Sequence, residues 1–239
     1  MLTRMSSDRP LPPGATRMHA RGKLSFRRRV PEVTETTAKG LPYIPPSDDP
    51  PQLSQLVPAG HASVEIEVGP GKGTFLLAAT EARPDAFVLG IEAAPGYARY
   101  AAERLQKAQR TNGALLVDNA AVYLRDRVDE ASLRRLHVYF PDPWPKRRHR
   151  KRRFFSPEMM DVIHRALEPG GHLLAATDNA AYAGQICQVV GGHLGLARDT
   201  EEERRLRSSP PGHGFSPTNF EAKYEREGRI IRRYAYRRI

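Results

Sequence analysis

Apolar and polar positions follow two periods that alternate along the chain from residue 62 onward. Short runs rich in branched side chains predict strands at 62–68, 86–92, 113–118, 134–141 and 172–177. Between them, apolar residues spaced by three and four predict helices at 72–84, 95–110, 157–171 and 180–192. Strands that alternate with helices of this length predict one doubly wound, mostly parallel α/β sheet with helices on both faces.

Prolines and glycines predict where several of these helices begin and end. Pro95 and Pro157 fall in a first helical turn, where the missing N–H needs no partner. Pro84 ends the first helix, and Gly170 comes just past the end of the third.

The two ends of the chain differ from this pattern. Residues 228–238 (GRIIRRYAYRR) alternate apolar and basic residues, which predicts an antiparallel strand at a sheet edge with Ile231, Tyr234 and Tyr236 buried. Residues 1–58 are rich in proline and keep no period, which predicts a basic, extended arm. We therefore expect an arm at 1–58 and a single domain at 59–239. In the arm, Phe26 among basic residues suits a nucleic-acid backbone, or else belongs to a solvated tail.

Charge and cysteine content narrow the function. The 239 residues include 38 Lys and Arg against 27 Asp and Glu, a net charge of +11 that attracts polyanions. The single cysteine, Cys187, excludes an intrachain disulfide and a cysteine-based zinc site, so we expect it in the core. The chain has no apolar run of membrane-spanning length and no secretory leader pattern. These features predict a cytoplasmic protein without a membrane partner.

A glycine-rich loop follows the first predicted strand. Gly69, Gly71 and Gly73 stand between a strand and a helix, as a nucleotide-type cofactor site requires. The dinucleotide pattern would need a glycine where this chain has Thr74, which disfavours a nicotinamide oxidoreductase. Glu67, two residues before the loop, would repel a pyrophosphate but would accept a hydrogen bond from a ligand ammonium. This chemistry favours S-adenosylmethionine.

Polar residues at the ends of the next two strands extend this site. Glu92 ends the second strand and is expected to accept the hydroxyls of an adenosine ribose. Asp118 and Asn119 end the third strand, and one of them is expected at the adenine edge.

The most unusual stretch is FPDPWPKRRHRKRRF at 140–154. Asp142 lies between Pro141 and Pro143, which restrict the backbone on both sides and hold its carboxylate in one direction. The following cations suit a phosphate backbone, the alternative being a solvated helix face that includes His149. We also expect these cations to keep Asp142 ionised. The predicted RNA-backbone residues are Arg147, Arg148, Arg150, Lys151, Arg152 and Arg153.

Together with TDNAAYA at 177–183 and TNFEAKYEREG at 218–228, these motifs resemble the bacterial tRNA (guanine-N7)-methyltransferase family over residues 60–239. The resemblance implies a Rossmann-like, class I S-adenosylmethionine fold and methylation of a tRNA guanine, usually position 46 in the variable loop. It implies cofactor-site positions for Glu67, Glu92, Asn119 and Asp142, of which Asp142 is also the expected catalytic residue. Many relatives carry aspartate in place of Asn119. The implied substrate-site residues are Lys146, Asp178, Thr218, Asn219, Phe220 and Glu221.

Besides the disfavoured nicotinamide oxidoreductase, two alternative functions stay open on the sequence alone. The chain resembles other S-adenosylmethionine-dependent RNA methyltransferases in its glycine loop, including those that act on rRNA. It also suits a non-enzymatic RNA-binding protein with a relict cofactor site. Thr218 and Glu221 fit a helix capping box as well as a substrate site. We expect no metal, and either a monomer or a homodimer.

Overall fold

The computed structural model of the protein describes residues 42–144, 146–209, 224 and 226–239, and of Arg147 and Arg150 the backbone alone. The strands are β1 (Tyr43–Ile44), β2 (Ser63–Val68), β3 (Ala86–Ile91), β4 (Gly113–Leu116), β5 (Leu133–Tyr139), β6 (Leu167–Thr177), β7 (Leu196–Arg198) and β8 (Arg232–Arg238). The helices are α1 (Leu53–Leu56), α2 (Thr74–Ala82), α3 (Pro95–Lys107), α4 (Ala120–Asp126), α5 (Pro157–Ala166), α6 (Ala180–Gly191) and α7 (Thr200–Arg207), with a 3₁₀ helix at Arg147–Arg152.

These strands form one sheet in the order β1-β4-β3-β2-β5-β6-β8-β7. The first six strands in this order are parallel, whereas β8 runs antiparallel to β6 and β7 antiparallel to β8. From β2 the chain winds outward through β3 and β4 and then returns to the other side of β2 as β5. The sheet therefore has its switch point between β2 and β5, and ligands bind such sheets in the crevice at the carboxyl ends of those strands. The predicted doubly wound fold is confirmed.

Helices cover both faces of the sheet and divide the core into two layers. One layer packs α2, α3 and α7 through residues such as Phe75, Ala101 and Leu206. The other packs α4, α5 and α6 through residues such as Ile163 and Tyr182. The inner strand β3 is buried at every position, as a strand covered on both sides must be.

The C-terminal strand confirms most of its prediction. β8 pairs antiparallel with β6, and Tyr234 and Tyr236 are buried while Ile231 is partly buried. The three-residue strand β7, which the sequence did not predict, lies outside β8. Cys187 is partly buried against the core, close to its expected place.

Two boundaries differ from the expectation. β1 pairs with β4, and Leu53 of α1 is buried, so the packed part of the chain begins by Tyr43 rather than after residue 58. Helix α5 ends at Ala166, and Gly170, with φ of 78°, lies inside β6 rather than just past the helix. Leu167 pairs with Leu133 of β5, just before a register shift in the β5–β6 ladder. This pairing places the chain after Ala166 in the sheet instead of the helix.

A buried polar network ties β2 to β5 next to the switch point. Ionised Glu65 accepts a hydrogen bond of 2.8 Å from Nε2 of His137, whose Nδ1 then accepts from the Tyr139 hydroxyl at 2.9 Å. Arg83 adds a two-pronged contact to the same carboxylate. Burial alone would raise the pKa of Glu65, but His137 and the nearby arginines outweigh it and lower it to about 2. The two strands that carry the site are thus linked side chain to side chain.

Candidate active site

The glycine loop, residues 69–73, turns sharply between β2 and α2. Gly69, Gly71 and Gly73 have φ of 66°, 56° and 68°, a region that other residues rarely adopt. The Gly69 N–H donates to the Ile91 carbonyl at 2.9 Å. A Cβ at Gly73 would come within 2.7 Å of the Ala101 Cβ, so glycine is needed there also for the close approach of α3. The sequence-predicted turn is therefore present with the conformation that its glycines permit.

Glu92 at the end of β3 supports this loop directly. One carboxylate oxygen accepts from the Gly71 N–H at 3.0 Å and the other from the Ala94 N–H at 2.9 Å. Burial raises the pKa of Glu92, and the charge of Asp142 acts in the same direction. Glu92 thus lies at the carboxyl end of β3 and holds the glycine loop, while its contact with a cofactor ribose stays a prediction.

Glu67 is buried beneath the loop with one oxygen unused. Its side chain accepts a hydrogen bond from the Leu76 N–H, while Oε2 has no partner among the described residues. Burial, together with the charge of Glu92, raises the pKa of Glu67 to about 8. A buried acid with an open acceptor is costly unless a ligand supplies a donor. The ammonium of S-adenosylmethionine is such a donor, so these residues fit that cofactor.

Asn119 has a local role besides its expected ligand contact. Its Oδ1 accepts from the N–H groups of Ala121 and Val122 and so caps α4, and its side chain is exposed. The neighbouring Asp118 accepts from the Asn119 N–H at 2.6 Å. Both residues follow β4 at the carboxyl edge of the sheet, where the sequence predicts the adenine contact.

The acidic loop, residues 140–144, follows β5 at the same edge. Since β2 and β5 pair in parallel with Val68 opposite Val138, the acidic loop and the glycine loop leave the sheet side by side. The charge of Asp142 also contributes to the raised pKa of Glu92. Phe140 and Trp144, at the two ends of the loop, have φ of 51° and 38°. Such a conformation costs a non-glycine residue about 1–3 kcal/mol, and it persists only when surrounding contacts enforce it. One of these contacts is the 2.8 Å hydrogen bond from the Phe140 N–H to the Ala176 carbonyl.

The electrostatic surroundings of Asp142 differ from the expectation. The residue is exposed, yet desolvation by the neighbouring protein atoms raises the pKa of its carboxyl. Loss of water, rather than the cationic run, thus sets the direction of this pKa shift, and the expectation that Asp142 stays ionised remains a prediction.

The cationic run forms a 3₁₀ helix, Arg147–Arg152, rather than a solvated α-helical face. Lys146, Arg148, Lys151 and Arg152 are exposed, which suits phosphate contacts. Arg152 lies over the Trp144 ring at 5.0 Å, and the His149 ring meets the Trp144 edge at 5.7 Å. The side chains of Arg147 and Arg150 lie outside the described residues.

Arg153 does not belong with this exposed group. Its side chain is buried, and its guanidinium donates to the Pro143 carbonyl at 2.6 Å and to the Trp144 carbonyl at 3.5 Å. The prediction that Arg153 contacts the RNA backbone is therefore wrong, because its donors already serve the protein backbone.

Asp178 follows β6 and is held by Arg229, whose Nη1 donates to Oδ2 at 2.8 Å. The Arg229 guanidinium also lies over the Tyr224 ring at 4.4 Å, and that ring packs at 5.5 Å from Phe140 of the acidic loop. Asp178 is thus brought to the acidic-loop end of the crevice. Thr218, Asn219, Phe220 and Glu221 lie outside the described residues.

The sequence did not predict two arginines that hold parts of the candidate site. Arg229 stands in a polar segment that gives no local indication of its partner. Arg104 donates to the Lys72 carbonyl at 2.6 Å and to Thr74 Oγ1 at 3.2 Å, and so braces the glycine loop from α3. Its spacing of three from Ala101, which also meets the loop, is the one sequence feature that places it on that helix face.

A cavity of about 840 Å³ between α5 and α6 is lined in part by Met160, Gln185 and Val189, and none of the acids described above lines it. Within the described ranges, no cluster of three or more His, Cys, Asp or Glu could hold a metal ion. No helix of those ranges is long and apolar enough to cross a membrane.

Comparison with known proteins agrees with this arrangement. A family model described as "Putative methyltransferase" matches residues 61–234. The tRNA (guanine-N(7)-)-methyltransferase of Chromohalobacter salexigens is 32% identical over 248 residues, covering 98% of this chain and 97% of that protein. The enzyme of the same name from Rhodopirellula baltica is 35% identical over 202 residues, covering 81% and 73%. A solved 30S ribosomal A1408 methyltransferase from an uncultured bacterium, 12% identical, has a TM-score of 0.50 over 75% of this chain and 89% of its own, and supports the fold alone.

Proposed function

Because this chain belongs to the tRNA (guanine-N7)-methyltransferase family, we propose that it methylates N7 of a guanine in tRNA, at position 46 of the variable loop. The methyl donor is S-adenosylmethionine. The observation that supports the proposal is the origin of two loops at one edge of the sheet: the glycine loop, with the unused oxygen of Glu67 beneath it, and the Asp142 loop follow the paired parallel strands β2 and β5. We place this reaction in the cytoplasm and expect a monomer or a homodimer.

The glycine loop and its acids would hold the cofactor. Glu67 would accept from the ligand ammonium, Glu92 from the ribose hydroxyls, and Asn119 would lie at the adenine. When bound, S-adenosylmethionine supplies a methyl carbon activated by its sulfonium. The backbone N–H groups of Gly69 and Gly71 are already fixed by the Ile91 carbonyl and by Glu92, so the loop needs little rearrangement for binding.

Asp142 would position the base and stabilise its developing charge. Guanine N7 would use its own lone pair to form the N–C bond as the S–C bond breaks, so no side chain would have to remove a proton first. The positive charge moves from the sulfonium to the guanine ring. A fixed carboxylate next to the ring favours that charge and can accept hydrogen bonds from its N1 and N2 edge. The remaining rate acceleration would come from holding N7 in line with the methyl carbon and the sulfur.

The exposed cations beside the acidic loop would hold the tRNA backbone. Lys146, Arg148, Lys151 and Arg152 offer phosphate contacts that add affinity without reading sequence. We extend this role to Arg147 and Arg150, and we assign Asp178 with the 218–221 segment to the target nucleotide.

Transfer to unmodified tRNA with labelled S-adenosylmethionine tests the function. Borohydride reduction and aniline cleavage after the reaction should break the tRNA at one modified guanine, at position 46. Label in rRNA but not in tRNA would favour the alternative rRNA methyltransferase. Absence of cofactor binding in calorimetry would favour a relict site.

A further inference from the structure

The last cation of the basic run, Arg153, faces the opposite way from its neighbours. Lys151 and Arg152 are exposed, whereas Arg153 is only 8% exposed. A buried arginine needs partners for its donors, so its contacts indicate what it does.

All three guanidinium nitrogens of Arg153 have such partners. Nε donates to the Pro143 carbonyl at 2.6 Å and Nη2 to the Trp144 carbonyl at 3.5 Å. Nη1 donates to Oε1 of Gln185 on α6, and the Gln185 amide in turn donates to the Phe155 carbonyl at 3.0 Å. The guanidinium plane also lies over the Tyr182 ring at 4.9 Å.

These contacts converge on the acidic loop, which needs outside support. Phe140 and Trp144 hold positive φ at its ends, and its prolines have no N–H to donate. The Pro143 and Trp144 carbonyls are acceptors through which the loop can be held in place, and Arg153 donates a hydrogen bond to each of them.

We propose that Arg153 is a positioning residue: its buried fork fixes the Pro143 and Trp144 carbonyls and thereby aims Asp142 at the target base. α6 contributes through Gln185 and Tyr182, so the aim of Asp142 depends on a helix that need not touch the ligand. The catalytic part of this proposal rests on the proposed function, whereas the loop-holding part does not.

Arg153→Lys tests the proposal, because a lysine keeps the charge but cannot form the planar fork. We expect the single-turnover rate at saturating tRNA to fall by about tenfold or more, with the salt dependence of tRNA binding unchanged. Trp144 is the single tryptophan of the chain, so its fluorescence reports on the loop directly. Acrylamide should quench it more readily in Arg153→Lys.

Lys151→Ala is the matched control among exposed cations. It should lower the salt slope of tRNA binding by about 1 and leave Trp144 quenching as in the unchanged protein. Arg153→Gln removes the charge: if it lowers the salt slope by about 1 and leaves the quenching unchanged, Arg153 is a phosphate contact and the proposal fails. A normal rate with normal quenching in Arg153→Lys also overturns it.

Gln185→Leu provides the second variant, in case Arg153→Lys does not fold. It should slow transfer and loosen Trp144 in the same way, and the double variant should be no slower than Arg153→Lys alone. Additive losses would contradict a shared role. If the unchanged protein transfers no methyl group, the proposed function fails, while the Trp144 measurement still decides whether Arg153 holds the loop.

Discussion

The glycine loop and the acidic loop follow neighbouring strands, β2 and β5, and both turn through positive φ, but they are stabilised differently. The glycine loop adopts these angles with glycines, which carry no steric cost, and is held by nearby backbone and by Glu92. The acidic loop adopts them with Phe140 and Trp144, and is held by contacts from β6 and from Arg153.

This difference separates two kinds of preorganisation. The glycine loop owes its turn to its own glycines, and Glu92 and Arg104 support a conformation that the local sequence already favours. The base side is formed by tertiary contacts, so substitutions far from it in sequence can misplace Asp142 without damaging cofactor binding.

The largest effect should come from the base side. Asp142→Asn keeps the size of the side chain but removes its charge, and the methyl-transfer rate should fall by about 10²–10³-fold. Single-turnover assays at saturating tRNA measure it, and calorimetry should show cofactor binding within a few-fold of normal. A near-normal rate would remove Asp142 from the chemistry.

The next effect concerns the approach to the acidic loop. Replacing Arg148, Lys151 and Arg152 by Ala together should weaken tRNA binding by about 10–10²-fold and reduce its salt slope by about 3. Filter binding across a range of salt concentrations measures both. An unchanged slope would show that tRNA passes elsewhere.

On the cofactor side, Glu67→Gln should separate stability from binding. The pKa of Glu67 in the folded protein is raised to about 8. The neutral side chain is therefore favoured by folding, and this contribution to the unfolding free energy is fully present below the unfolded pKa and is lost as pH rises towards 8. The ligand-free variant should therefore gain on the order of 1–3 kcal/mol in unfolding free energy near pH 8, and less at pH 5. Urea unfolding at several pH values measures the gain.

The same variant should bind S-adenosylmethionine more weakly, because an amide cannot offer the ligand ammonium a charge. A pH-independent gain in stability, or unchanged cofactor affinity, would contradict the assignment of Glu67.

The smallest effect compares glycines within and outside the loop. Gly73→Ala should cost about 1–2 kcal/mol of stability for its backbone angle, and more because its Cβ would meet Ala101 at 2.7 Å. Gly71→Ala has the same kind of angle with no neighbour within 4 Å, so it should cost only the first part. Gly184→Ala in α6 should stabilise by about 0.5–1 kcal/mol. Equal effects at residues 71 and 73 would remove the packing argument.

The sequence sufficed for the cofactor side because its features are local. Each of Glu67, Gly69 and Glu92 is placed by the strand it ends, and the carboxyl ends of parallel strands meet at one edge. The same rule places Asp142 at that edge.

The rest depends on tertiary contacts that a sequence pattern does not contain. In KRRF the three cations look equivalent, and only packing against α6 shows that Arg153 turns inward. Likewise, β1 and β7 are too short to have a period, and their partners decide that they are strands. Helix α5 stops early because Leu167 finds a strand partner in Leu133.

Short outer strands have a consequence for how copies of the protein meet. Within the described residues, the sheet ends in β1, of two residues, and β7, of three. Such short edge strands offer few unpaired backbone N–H and C=O groups to a neighbouring sheet, which disfavours edge-to-edge association of sheets into fibres. Crowding of many copies along one polyanion should therefore leave their sheets separate, and self-association would have to use helix surfaces.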